Sequence, residues 1–401
     1  MRLCWLIPTD QSGGVASVAF SCCRQAAASG HDVTLLQVLP SSGRFESQVS
    51  GVSDFNVASL ELSEPAHKTP SALVDWLQSH PQDAFFLNGV GQASPAIPHL
   101  PSSVYAIYVV HDTAPGLWKP AVHHETNLDA IVAVSNVVAS KFRRNLSDAS
   151  KLSVLHNGTL LGPRPELSEA RPHDLLFVGG DNPVKGRDDV LSLWPRLVEK
   201  KFMGRLHWFG ETGTSLRDEI AQLPASERVV VHGRVPRATL FDQAAQTRVL
   251  LMLSRVEPFG MMTVEGMGMG SIPVAWAIET GTREIVQDGE TGLFVPLGNF
   301  DALADAVLTA CRRHPELVTA TVRSARNRYS ETSMWNRYAG LLDSLRKEDP
   351  VGRPKAGTPP PNYEPPRRYF QMIPEPFREK IRAVVAQSPR LGYWLRDWRG
   401  F

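Results

Sequence analysis

The sequence predicts an α/β protein of two doubly wound domains in tandem, followed by a C-terminal extension. Three observations predict it. Short apolar runs of strand length alternate with longer amphipathic stretches; a proline-rich interruption lies near the middle, after which the same rhythm restarts; and the pattern ends late in the chain in proline, then in arginine mixed with aromatics. At 401 residues the chain exceeds one ordinary core and suits two, and 42% hydrophobic residues supply both.

The elements justify this in order. Residues 2–9 (RLCWLIPT) read as a buried strand, and residues 10–30 as a glycine turn and a helix that stops at Gly30. Strands follow at 32–39, 84–90, 104–112, 129–135 and 151–158. Strands separated by helices imply a mostly parallel sheet covered on both faces. Residues 160–174 interrupt with three prolines and mixed charge, which suits a linker joining the domains near 160–172. Strand runs resume at 174–180, 205–211, 228–235, 248–254, 271–278 and 291–297. The first domain is therefore drawn as 1–165 and the second as 172–330, with a closing helix at 331–347 and a proline-rich linker and basic tail at 351–401. Two such sheets leave a cleft at their carboxyl edges, where ligands of doubly wound sheets bind.

Composition excludes several classes. A formal net charge of +1 gives no global field for phosphate backbones, so no nucleic-acid partner is expected. Cys4, Cys22, Cys23 and Cys311 match no zinc spacing, and few cysteines without a framework read as reduced and cytoplasmic. No run of 18 apolar residues suggests a membrane span, and the apolar run at the N-terminus stops at Pro8, too short for a signal peptide.

The stretch Ser254–Gly270, SRVEPFGMMTVEGMGMG, carries the chemistry. Pro258 suits a turn into a helix starting near Phe259 or Gly260, whose N–H groups point back to the sheet edge and favour an anion. Glu257 sits just before that helix and Glu265 lies one to two turns inside it. A lone Glu257 reads equally well as a favourable cap, worth about 0.3–1 kcal/mol. Gly266, Gly268 and Gly270 ask for more, because each glycine inside a helix costs about 0.8–1.0 kcal/mol against alanine. That cost implies very close packing or close approach of a ligand. The methionines read as core filling.

Glu, seven residues, Glu, with Phe-Gly inside and Gly270-Ser271-Ile272-Pro273-Val274 after, resembles the retaining glycosyltransferase family 4 with the GT-B fold. Further pieces come in the family's order: Gly13-Gly14 after the first strand, His111-Asp112, Ser135, Asn157-Gly158, the run Phe177–Gly186 and the run Arg283–Pro296. The resemblance spans about residues 1–347. It implies two Rossmann-like domains facing a central cleft and transfer of a sugar from a nucleotide-sugar donor to a hydroxyl acceptor, with the first domain on the acceptor side. Carried over residue by residue, it places Glu257 on the donor sugar and Glu265 on the ribose hydroxyls, which a carboxylate can accept in pairs. It places Lys185 on the diphosphate, the backbone of Phe259, Gly260 and Met261 near sugar and phosphate, Gly13 and Gly14 at the donor phosphates, and His111 near the reacting sugar. Asp112 would orient His111 or approach the acceptor. The family's route to retention runs on the front face, with the departing phosphate assisting the acceptor; no metal and no cofactor are expected.

Two positions depart from the family pattern. Gly180 stands where an arginine usually follows the strand, so that either another cation, Arg187 or Arg283, reaches the phosphates, or phosphate binding is weaker. Thr280 stands where the family has the first glycine of a pair. Two other functions stay open: a nucleotide-sugar-binding subunit without turnover, which Gly180 favours, and a nucleotide-sugar epimerase on the same fold. In the tail, residues 351–401 carry ten Arg/Lys against four Asp/Glu, so this segment holds +6 and the rest −5. From 374 to 401, arginines alternate with Phe377, Tyr393, Trp394, Trp398 and Phe401, which suits either peripheral contact with an anionic membrane or packing back onto the body. The donor's base and sugar, and the acceptor, leave no trace in residue type.

Overall fold

The computed structural model describes residues 1–8, 14–39, 54–61, 68–163, 165, 171–347 and 360–362. Gly13 and the basic tail expected at 374–401 lie outside the described residues. The chain divides into two compact units. One takes in Met1–Thr159 and the helix that begins at Glu331; the other is Leu160–Ser330.

In the first unit the elements run β1 (Arg2–Pro8), α1 (Gly14–Ala28), β2 (Asp32–Leu39), β3 (Asn56–Glu61), α2 (Thr69–Ser79), β4 (Ala84–Asn88), β5 (Tyr105–Val110), α3 (Pro115–His123), β6 (Ala130–Ala133), α4 (Asn136–Ser140) and β7 (Leu152–Val154). All pairings are parallel, in the order β3-β2-β1-β4-β5-β6-β7. β3 and α2 are additions to the sequence reading. β3 is an edge strand with an exposed Val57 and lacks the apolar run that marks its neighbours. Central β4 and β5 are buried through nearly their whole length, as a sheet covered on both faces requires. Trp5 stacks on Phe86 across β1 and β4, with centroids 4.1 Å apart and planes at 8°.

The second unit holds β8 (Leu175–Val178), α5 (Arg187–Glu199), β9 (Leu206–Phe209), α6 (Thr214–Ala221), β10 (Val229–Gly233), α7 (Arg237–Ala244), β11 (Val249–Met252), α8 (Met261–Gly268), β12 (Ile272–Trp276), α9 (Thr282–Ile285), β13 (Leu293–Val295) and α10 (Phe300–Tyr329). Its sheet is also parallel, in the order β10-β9-β8-β11-β12-β13. Leu175, Phe177, Trp194, Trp208, Ile272 and Trp276 centre its core. Arg171, inside the linker expected near 160–172, is buried and donates to the carbonyls of Thr247 and Met269.

α11 (Glu331–Leu345) returns to the first unit. Met334, Trp335, Tyr338 and Leu342 are buried, with Trp335 beside Trp5 and Tyr338 edge-on to Phe86. Burying each such side chain contributes about 1.5–3 kcal/mol, whereas the partly buried Arg24–Glu331 pair must first offset its own desolvation. The apolar face therefore holds α11. Glu331, which accepts from Arg24 and from Gln25 Nε2, and Trp335 Nε1, which donates to Ser29 Oγ at 2.8 Å, set its register on α1.

The four cysteines are buried and free, and no helix among the described residues is long and apolar enough to cross a membrane.

Burial pushes three histidines, His111, His124 and His314, down to about 4. Each is neutral in the fold, while the unfolded chain takes up a proton near 6.5. Their contribution is therefore intact above about pH 6.5 and is lost progressively as pH falls toward 4. The unfolding midpoint should drop over that window. His314→Gln, which keeps a donor for the Gly270 carbonyl now 2.9 Å from Nε2, should make the drop shallower in denaturant melts at pH 7.5 and 5. An unchanged slope would remove His314 from the account.

Candidate functional site

Both sheets reverse winding direction once, between β1 and β4 and between β8 and β11. At such switch points the loops beyond the carboxyl ends diverge and leave room for a ligand. In the second unit these loops carry Lys185, after β8, and Glu257, after β11.

The two loops are built against each other. Asn182 Oδ1 accepts from Val184 N at 2.9 Å, and the Val184 carbonyl accepts from Arg255 N at 2.8 Å. Gly186 lies so close to Leu253 that a Cβ there would stand 2.5 Å from its carbonyl oxygen. Arg255 then reaches back to Asp189 on α5, donating through both terminal nitrogens, and Trp276 Nε1 donates to Asp189 Oδ2 at 2.8 Å. Asp189 is buried, so its charge is matched by a largely buried guanidinium and an indole N–H. This frame brings Lys185 Nζ to 2.8 Å from Glu257 Oε2, the oxygen that also accepts from Ser254 Oγ at 3.2 Å. Glu257 is mostly covered, with 12% of its side chain exposed, against 38% for Lys185. An ammonium has three donors, so its bond to Glu257 leaves it able to reach a second anion.

α8 starts at Met261, one or two residues after the expected start at Phe259 or Gly260, with Gly260 as its N-cap. Its first N–H groups have no carbonyl four residues back within the helix, which begins four residues after Glu257. The Phe259 ring is buried, edge-on to Tyr329 with centroids 5.8 Å apart. Glu265 lies on the second turn of α8, and its Oε1 is 2.5 Å from Arg237 Nη2 at the start of α7. The glycines after it serve packing: a Cβ on Gly266 would stand 2.6 Å from Leu250 and one on Gly268 2.6 Å from Leu161.

Gly180 has a structural cause. Its backbone is left-handed (φ +51°), and a Cβ there would stand 2.5 Å from the Glu211 carbonyl oxygen. Gly210 faces it, also at positive φ, and a Cβ on Gly210 would strike Gly180 N at 2.5 Å. The loops after β8 and β9 thus touch backbone to backbone, fixed by Gly180 N donating to Phe209 O at 2.9 Å and Asp181 N to Glu211 O at 2.7 Å. No side chain can occupy this place.

The two cations considered in its stead are engaged elsewhere. Arg187 donates to Asp181 at 2.5 Å, Asp188 at 2.7 Å and Glu219 at 3.0 Å; burial lowers its pKa, but those carboxylates together outweigh it and raise Arg187 above its ordinary range. Arg283 is exposed and lies over the Phe294 ring at 5.6 Å.

In the first unit, Gly14 opens α1 and is exposed. His111 follows β5 and is half-buried; its Nε2 is 3.0 Å from Asn88 Oδ1. Asp112 Oδ1 accepts from Ala114 N at 2.9 Å and Thr113 Oγ1 at 3.3 Å, so this oxygen closes the turn into α3. Among the described residues, no three of His, Cys, Asp or Glu converge as a metal-binding group. Ser254, Arg237, Asn88 and the Asp189–Arg255 pair are additions to the sequence reading. Ser254 and Arg255 lie within the Ser254–Gly270 stretch; Arg237 and Asp189 are distant in sequence and meet it through the fold.

Comparison with known proteins accounts for both units. Residues 12–160 match the family described as Glycosyltransferase Family 4, and residues 172–313 match Glycosyl transferases group 1. Each match covers just over a third of the chain. The chain is 27% identical over 210 residues to an uncharacterised protein of the cps region of Klebsiella pneumoniae, covering 49% of this chain and 56% of that one. It is 24% identical over 241 residues to the capsular polysaccharide biosynthesis glycosyltransferase CapM of Staphylococcus aureus, covering 54% of this chain and 62% of that one. The matched region thus spans less than two thirds of either relative. In fold, it matches HepE of Anabaena, solved with UDP-glucose, with a TM-score of 0.69 at 17% identity over 86% of this chain and 100% of that one. Two parallel Rossmann-like sheets of this kind are the GT-B fold.

Two outcomes test this frame of loops. Asp189→Ala strands a largely buried guanidinium and should lower unfolding free energy by about 3–5 kcal/mol in urea titrations; a loss below about 1 would mean that Arg255 finds solvent or another partner. Gly180→Arg, although it restores the residue usual in the family, should lower the melting temperature and give no gain in nucleotide affinity by calorimetry, because Glu211 and Gly210 occupy its space.

Proposed function

We propose that this protein transfers a sugar from a nucleotide-sugar donor to a hydroxyl acceptor, with retention at the anomeric carbon and without a metal. The observation that carries the reading is the Lys185–Glu257 pair, 2.8 Å apart at the switch point of the second sheet, directly before the α8 N-terminus. A carboxylate alone suits sugar hydroxyls and a lysine alone suits any anion; the two on one frame suit a ligand that carries sugar and phosphate together. HepE, which shares the fold, was solved with such a ligand, UDP-glucose.

The residues take the following parts. Lys185 and the N–H groups of Phe259, Gly260 and Met261 face the diphosphate, Glu257 the sugar, and Glu265 the ribose. The first unit supplies His111 to the reacting sugar. The bond from the anomeric carbon to phosphate breaks, and its electron pair goes to the phosphate oxygen. The acceptor oxygen bonds the same face of that carbon, and its proton passes to the departing phosphate. Charge on the phosphate grows through this step, so a fixed ammonium stabilises the transition state more than the bound donor. CapM is named for capsular polysaccharide biosynthesis, so a growing glycan heads the acceptors to test. A second reading, a nucleotide-sugar-binding subunit without turnover, is favoured by Gly180.

The deciding experiment follows nucleotide release from UDP-, GDP- and ADP-sugars, with and without glycan acceptors. One donor should release nucleotide. Lys185→Ala should slow release on the order of 10²-fold or more, the scale of losing one preorganised charge-stabilising group. Glu257→Ala should slow turnover while nucleotide affinity holds within a few-fold. Equal loss of both would count against a sugar contact by Glu257. Tight nucleotide binding without release under any acceptor would select the non-catalytic reading.

A further inference from the structure

Asn88 ends β4, beside β1 on one flank and β5 on the other. It is 2% exposed, an unusual place for an amide, which must find partners for both ends when buried. Its Nδ2 lies 3.3 Å from the Leu6 carbonyl oxygen and 3.3 Å from the Phe86 carbonyl oxygen. Carbonyls only accept, so the amide has one permitted orientation, with NH₂ toward β1 and its own strand and Oδ1 turned away. Oδ1 then lies 3.0 Å from His111 Nε2. An amide oxygen also only accepts, so Nε2 must carry the proton.

Two backbone carbonyls thus fix the ring tautomer through one amide. Burial pushes His111 down to about 4, so that one proton is all the ring holds near neutral pH. With Nε2 donating to Asn88, Nδ1 is a lone pair. His111 can then meet a substrate only as an acceptor: it suits a hydroxyl that donates, and it suits neither a phosphate oxygen nor a carboxylate.

We propose that Asn88 is a positioning residue, which holds His111 as its Nε2–H tautomer and so presents Nδ1 to a donating sugar hydroxyl. The last clause rests on the proposed glycosyltransferase reading; the tautomer does not.

The test is ¹H–¹⁵N correlation across the imidazole rings of the full chain labelled in histidine, with His111 assigned by its loss in His111→Gln. The free protein at pH 7.5 should show His111 with a protonated Nε2 and a bare Nδ1; the opposite tautomer overturns the proposal. In Asn88→Ala, or in Asn88→Thr if the alanine variant does not fold, the ring should become a mixture of tautomers. A folded variant with an unchanged ring also overturns it. Adding whichever of UDP-, GDP- or ADP-glucose binds should shift Nδ1 more than Nε2, and turnover in the variant should fall on the order of 10–100-fold, as when the partner orienting a working histidine is removed. A donor that binds and leaves Nδ1 unmoved refutes the hydroxyl contact. Failure of all donors to bind strikes the glycosyltransferase reading, while the free-protein spectrum still decides the tautomer.

Discussion

A buried carboxylate holds the second unit's site in shape. Asp189 lies on α5, yet it accepts from Arg255 in the loop after β11 and from Trp276 at the end of β12. A parallel sheet leaves its strands ending side by side with loops that have no regular partner. Something must fix those loops if charged side chains on them are to keep a separation of 2.8 Å. Here that is one ion pair with an indole, plus backbone bonds between the loops. Lys185 and Glu257 inherit their geometry from this frame, which lies one layer behind them and touches no substrate in the proposed reaction.

The same economy appears at Gly180. Read as a letter in a motif, it is a missing cation. Read in the structure, it is half of a backbone contact whose other half is Gly210. The space a side chain would need is filled by the neighbouring loop, which leaves Lys185 as the lysine of its loop beside Glu257.

What the sequence made legible follows from range. The apolar runs of β1, β4, β5, β8 and β11 declare themselves because each is buried on both faces, and the glutamate pair declares itself through spacing along eight residues of one loop and helix. Edge strand β3 is half-exposed and mixed in character, so its run carries no signal. Arg237 and Glu265 are separated by 28 positions, and Asn88 and His111 by 23. Nothing in either residue type names its partner; only strand order brings them together. Gly266 and Gly268 were open to a ligand or to packing, and Leu250 and Leu161 answer for packing. The roles assigned to individual site residues come from the family resemblance, and the fold supplies positions for them.

The return of α11 to the first unit bears on how the chain can be made. Trp335 and Tyr338 complete a core whose other members, Trp5 and Phe86, leave the ribosome more than two hundred residues earlier. The segment 160–330 is continuous and can close its own core during synthesis. The first unit must wait, its α1 and β1 surfaces uncovered, until the helix that caps them emerges. Long closed loops cost little extra at equilibrium, since each doubling of length adds only about 0.6 kcal/mol. The burden falls on timing: the half of the molecule translated first is the last to be finished.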